Sequence, residues 1–283
     1  MSDLRFVETY RRFCHNRAAM AGLFILIMLL TLALAAPLLT EHDPERQRLL
    51  DALQAPSWEH PLGTDHLGRD VLARLLYGAR LSLLIGLLAV GMGLAVGVPL
   101  GAISGYYGGL TDLLIQRLAD GLLSFPGFLL ALSLVSILGV GLQNVIVAVG
   151  VGAIPSFIRL VRGSVLSLRE LTYVEAAQAI GLGRRTIIVK HVLPNALAPV
   201  IVQATLTLGS AILVAAGLGF LGLGVQPPTA EWGAMLGEGR QYIFSTPSMI
   251  TFPGLAIFVA VLGFNLLGDG LRDALEPHLR SLV

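Results

Sequence analysis

The chain has 283 residues, 55% of them hydrophobic and only 13% charged, with a net charge of +1 and a mean hydropathy of +0.78. Soluble domains carry about 25% charged residues, so the deficit argues against a soluble domain and for a membrane protein, and no nucleic-acid partner is expected. Cys14 is the only cysteine, which excludes an intrachain disulfide and any cysteine-built metal or redox site.

Residues 1–17 read as a short basic tail. Five charge-free runs follow, at 18–40, 81–111, 121–158, 191–230 and 241–268. A spanning helix needs about 20 apolar residues. The runs of 23, 31 and 28 residues each hold one span. The 38-residue run holds two, turning at Gly139–Asn144, and the 40-residue run holds one from about 196 to 218 before a Gly/Pro-rich exit. The total is six spans in an all-α polytopic membrane protein. Ala33-Leu-Ala35 imitates a signal-peptide cleavage site, but the stretch before it outruns the usual 7–15 apolar residues. It reads as an anchor.

Residues 41–79 form a mixed-charge segment with Pro44, Pro56 and Pro61, and Val71–Tyr77 reads as a short helix leading into span two. Span two carries Gly93, Gly97, Gly101, Gly105 and Gly109 at a four-residue period. Such a stripe lets helix backbones approach where packing replaces the hydrophobic effect. Helix packing is the favoured reading, a substrate stripe the minor one. Pro99 suggests a kink, and Ser124-Phe-Pro-Gly127 a broken turn. Asp112, Arg117 and Asp120 fall in the short turn between spans two and three, at pairing distance for a helix.

With the N-terminus placed in the cytoplasm, 13 of the 19 basic residues fall inside and 6 outside, while the acidic residues divide 9 and 9. A bias confined to Lys and Arg is what the positive-inside rule expects. Both termini are then cytoplasmic.

The polar island between spans four and five holds Arg159, Arg162, Arg169, Arg184, Arg185 and Lys190. It reads as a helical hairpin. Thr172 and Glu175 have capping-box spacing, Ala176, Ala177 and Ala179 favour helix, and Gly181 is a natural stop. A second stretch from about Arg184 to His191 ends before Pro194.

In Glu175-Ala-Ala-Gln-Ala-Ile-Gly181, followed by His191-Val-Leu193-Pro194, the chain resembles the EAA loop of bacterial binding-protein-dependent ABC importer permeases, with His191 where many members have Ile. Leu62–Asp70, Phe220–Pro228, Glu231-Trp-Gly233 and Asn265–Asp273 are similar to the peptide and nickel branch, second (C-type) permease. The resemblance implies a type I permease fold in the bacterial inner membrane. It divides the chain into residues 1–79, a core at 80–272 and a tail at 273–283. It also implies a heterodimer with a second permease, two ATPase subunits and an extracytoplasmic solute-binding protein. Thr172, Glu175, Ala176, Ala177, Gly181, Arg184, Leu193 and Pro194 would couple to the ATPases. Dipeptides or oligopeptides are the expected cargo, a nickel chelate the alternative, and a non-transporting scaffold a further one. Asp65, Gly68, Arg69, Asp70, Glu231 and Trp232 are candidates for the outer gate and for binding-protein docking.

Gly217-Leu-Gly-Phe-Leu-Gly222 fits a dinucleotide pattern but closes a span instead of following a strand. No phosphate-binding loop exists and Lys190 is the only lysine, so the chain is not the ATPase. His42, His60 and His66 sit among acidic residues at irregular spacing, which favours a solvated loop over a metal site. Asp269 and Asp273 read as helix-end carboxylates, not a proton relay. No triad or carboxylate pair suggests an enzyme, and neither metal nor cofactor is expected.

Overall fold

The structure, a computed structural model, describes residues 11–275. Among these residues the regular secondary structure is helical apart from one isolated bridge, Thr64 to Asp70, and most of 40–70 and of 221–231 is irregular. Helix α1 (Arg17–Leu34) starts at Asn16, whose side chain accepts from the amides of Ala18 and Ala19, and α2 (Ala36–Leu39) extends it. Helix α3 runs from Val71 to Tyr107. Then come α4 (Gly109–Leu123), α5 (Gly127–Leu138), α6 (Leu142–Leu168), α7 (Thr172–Ala179) and α8 (Arg184–Ile187). A π turn, Ile188–Val192, joins α8 to α9 (Leu193–Phe220), and α10 (Trp232–Gly239) and α11 (Ser248–Leu275) complete the described chain.

Five helices are long and apolar enough to cross a membrane, and a sixth crossing requires α4 and α5 together, which meet at 89°. The break falls at the expected Ser124-Phe-Pro-Gly turn: Pro126 has no amide to continue the ladder. With 12 residues, α5 rises only about 18 Å, short of the roughly 30 Å of hydrocarbon.

Three local expectations need correction. The short helix foreseen at Val71–Tyr77 is the start of α3 itself, so residue 80 lies inside one continuous rod. No proline falls between Tyr77 and Ser82, Gly78 packs against Glu231 and Trp232, and Asp70 caps the start by accepting from the Ala73 amide. The turn foreseen around Asp112–Asp120 is α4. Pro194 does not end the hairpin but sits in the first turn of α9. The π turn explains its tolerance, because the Leu193 amide already bonds to Ile188 O in the wider register.

The core is built around α3 and α6, which run parallel. Gly93 faces Ala153 and Phe157, Gly97 faces Phe157, Gly101 faces Ile158 and Val161, and Gly105 faces Arg162 and Val165. A Cβ at Gly101 would lie 2.6 Å from the Ile158 carbonyl, so the backbones touch where only hydrogen fits. The stripe is a packing seam, as expected for four of its five members. Gly109 lies past the helix end at φ +55°, in open space. On the other side α1 packs antiparallel on α11, with Gly22 against Gly263 and Leu267, and Gly270 against Ala19. Asn16 Nδ2 donates to Asp273 Oδ2 at 3.1 Å, which places the start of α1 and the end of α11 at the same end of the bundle.

Candidate functional site

The α7 end of the bundle forms an open cleft of about 590 Å³. Helix α7 is held by Val174 and Ala177, buried among Val161, Val165, Ile187, Ile188 and Val192. Its N-cap is Leu171, with no side-chain cap, and Thr172 is already helical. The capping box is therefore not formed. Its stop is as expected: Gly181 has φ +82°, its amide bonds to Gln178 O, and the Leu182 amide bonds to Ala177 O. That pair of bonds is the Schellman closure.

Freed from capping, the Glu175 side chain is exposed in the cleft. Tyr106 and Tyr107 at the end of α3 form one wall, with Arg169, Gln178 and Arg184 around it. Arg169 Nη1 donates to Gly105 O at 3.1 Å, Gln178 Nε2 to the Tyr106 hydroxyl at 3.4 Å, and the Arg184 guanidinium lies 5.7 Å from the Tyr107 ring centre. Nothing local in the sequence signals this wall, since Tyr106 and Tyr107 lie some 70 residues upstream. Ala176 and Pro194 are exposed, Leu193 is half-buried and Ala177 is buried. The expected coupling residues thus divide between the cleft surface and its support. Asn195 and Tyr173 both donate to the His191 carbonyl, tying α7 to the π turn.

The opposite end carries a buried polar latch. Asp65, Arg69, Asp70, Glu231 and Trp232 are between 0% and 3% exposed. Their expected role as docking side chains is corrected: they are sealed inside. Arg69 Nε donates to Asp65 at 2.5 Å and its Nη2 to Glu238 at 2.6 Å, and Arg74 Nη2 donates to the same Glu238 oxygen at 3.1 Å. His60 Nδ1 lies 2.9 Å from Asp70. Gly68 is forced by its φ of +72° and by Arg48 O, which a Cβ would meet at 1.8 Å. Glu231 caps α10, accepting from the Gly233 and Ala234 amides and from Ser82 Oγ. Burial pushes its carboxyl above the usual carboxylate range despite those three bonds. Trp232 Nε1 donates to Leu75 O at 3.0 Å. The surface of this end is instead offered by Leu50, Trp58 and Phe244, each more than nine-tenths exposed.

Two groups, His42–His60–Asp70 and Asp65–His66–Glu238, bring ligand-type atoms within 4.8 Å of one another. Neither suits a cation. Asp70 is engaged by His60 and by the Ala73 amide, and the second group is matched by the guanidiniums of Arg69 and Arg74. Gly217–Gly222 closes α9, with Gly219 pressed against Glu231 and Gly233. Asp112 and Asp120 reach beyond their own helix: Arg162 grips Asp112 with two bonds of 2.6 and 2.7 Å, and Arg159 donates to Asp120 at 2.7 Å.

The described chain is thus a helical bundle with membrane-length helices, a buried polar latch at one end and an open cleft at the other. The chain belongs to the family described as binding-protein-dependent transport system inner membrane component, whose profile matches residues 97–281. The profile of the N-terminal TM domain of oligopeptide transport permease C matches residues 5–56. Over 97% of its length the chain is 50% identical to the dipeptide transport system permease protein DppC of Alkalihalophilus pseudofirmus, covering 90% of that protein. It is 48% identical, over 97% of its length and 91% of the relative, to the glutathione transport system permease protein GsiD of Pectobacterium atrosepticum. The fold is shared with a chain of the inward-facing MetNI methionine ABC transporter, at TM-score 0.57 and 24% identity, covering 71% of this chain and 96% of that one. The family consists of non-catalytic membrane subunits of ABC importers, and its fold is the type I permease expected from the sequence.

Proposed function

We propose that this chain is one of two permeases of a peptide importer, with dipeptides or short peptides such as glutathione as cargo. The observation that carries this reading is its 50% identity, over nearly the whole chain, to a dipeptide permease, with a glutathione permease almost as similar. These relatives favour peptide over nickel. The α7 end faces the cytoplasm, as the basic-residue bias supports, and so do both termini. Two ATPase subunits dock at the cleft, one on each permease, with Glu175, Gln178 and Arg184 exposed to meet them. A solute-binding protein delivers cargo at the latch end, where Trp58 and Leu50 project. The spans move as rigid units about a midplane cavity to give alternating access.

The test is reconstitution with the partner permease, the ATPases and the binding protein in proteoliposomes. ATP-dependent uptake of a labelled dipeptide or of glutathione is expected. Uptake of nickel without either would overturn the cargo reading. Reporter fusions at Asp51 should read outside and near Arg169 inside; an external signal at Arg169 would overturn the orientation.

A further inference from the structure

Helices α5, α6 and α9 enclose an open cavity of about 260 Å³ halfway along the bundle. Its walls include Gly127, Gly152, Ala148 and Ala211, and no charged residue lines it. Four polar side chains do: Ser156 from α6, and Gln203, Thr207 and Ser210 from α9. Thr207 donates to Gln203 O at 2.7 Å, and Gln203 Nε2 donates to Thr207 Oγ1 at 3.2 Å. Among the described residues, the Gln203 side-chain carbonyl and the hydroxyls of Ser156 and Ser210 make no hydrogen bond.

Other hydroxyls in these helices behave differently. Ser133, Ser136, Ser164 and Thr205 each donate to the carbonyl four residues back. That is how a span normally satisfies a hydroxyl at membrane depth. Groups left open there are costly against lipid, so the cavity's opening faces water or a polar ligand.

We propose that this cavity is a subsite for the cargo's peptide backbone. The inference rests on the peptide reading above. The Gln203 carbonyl accepts from a peptide N–H, and the hydroxyls of Ser156 and Ser210 meet a peptide C=O. Small walls leave room for side chains of any kind. With no charge to fix the peptide termini, the contact is weak enough for the cargo to leave. Binding sites for small molecules usually occupy about 300–1,000 Å³, so this chain supplies part of the site and the second permease the rest.

The experiment uses the full complex in proteoliposomes, with Cys14→Ser as background because Cys14 is the only cysteine of this chain, and the same complex without Ser210→Cys corrects for thiols of the other subunits. Wild type is assayed first with alanyl-alanine and with glutathione, and the one taken up serves as cargo. Uptake of neither sinks the peptide reading itself, before the subsite is tested. Given uptake, Ser210→Cys should be modified by a water-soluble methanethiosulfonate reagent, with loss of transport. Cargo delivered by the binding protein should slow that modification. Gln203→Leu should reduce uptake roughly three- to tenfold, the worth of one hydrogen bond, while the ATPases still co-purify. A Ser210→Cys thiol that is unreactive, or reacts equally fast with and without cargo, overturns the subsite. So does wild-type uptake by Gln203→Leu.

Discussion

The Arg74 guanidinium and the Glu238 carboxylate meet at 3.1 Å across 164 residues of chain. Arg69 reaches the same carboxylate oxygen at 2.6 Å, and both arginines are at most 1% exposed. Asp65 completes the group, so two guanidiniums balance two carboxylates. The first turn of α3 is thereby fastened to α10.

Glu238→Gln removes one of those carboxylates and leaves a buried positive charge. Breaking one partner of a buried pair typically costs about 3–5 kcal/mol. Thermal unfolding of the detergent-solubilised complex should shift down by several degrees. Arg48→Gln, which touches only an exposed pair at 3.9 Å, should leave Tm unchanged. Equal Tm values for the two variants would show that the latch contributes no stability.

At the α7 end, stability and coupling should separate. Glu175 caps nothing, so Glu175→Ala should change stability by less than about 0.5 kcal/mol. It should nevertheless abolish the stimulation of ATP hydrolysis by loaded binding protein. Gly181→Leu forces a side chain into φ +82°, at about 1–2 kcal/mol, and should loosen α7 as well as uncouple it. Unaltered stimulation in both variants would remove the cleft from the coupling route.

Alanine substitutions along α3 should follow a graded series. At Gly97 and Gly101 the added carbon would come within 2.6 Å of α6 atoms, at Gly93 within 3.0 Å of the Ala153 side chain, and at Gly91 it meets nothing within 4 Å. Membrane yield and Tm should therefore fall sharply at Gly97 and Gly101, mildly at Gly93 and not at Gly91. A flat series would mean that the α3–α6 seam is looser than its geometry.

Glu231 predicts a pH dependence. Burial raises its pKa above the ordinary 4.5, so the folded state holds the proton more tightly than the unfolded chain. The stabilisation is full below that ordinary value and is lost as pH rises through the raised one. Tm of the wild type should fall as pH rises through that raised value by more than that of Glu231→Gln, which cannot titrate. Parallel Tm curves would contradict the raised pKa.

The spans were legible because a charge-free run leaves few alternatives in a membrane, and Gly181 because its conformation is local. The rest depended on distant partners. Nothing around Arg74 announces Glu238, and Tyr106 becomes part of the cleft only when α3 ends beside α7. Thr172 and Glu175 have the right spacing for a cap, but Leu171 takes the cap position and moves Thr172 into the helix. Asp65, Arg69 and Asp70 are candidates for the outer gate and for docking by their place in an external segment, where charge usually marks the surface. Here they are buried because each finds its counter-charge or donor within the fold.

Helix α3 touches both ends of the molecule, through Arg74 at the latch and Tyr106 at the cleft. Its 37 residues make a rod about 55 Å long. With Pro99 inside it, a helix of that length answers a push by tilting or by bending at the proline. Each degree of tilt displaces one end relative to the other by about 1 Å. Hydrogen bonds tolerate only a few tenths of an ångström. A few degrees of lean by α3 alone would therefore part Arg74 from Glu238, so the contact holds only while α3 and α10 keep their mutual angle.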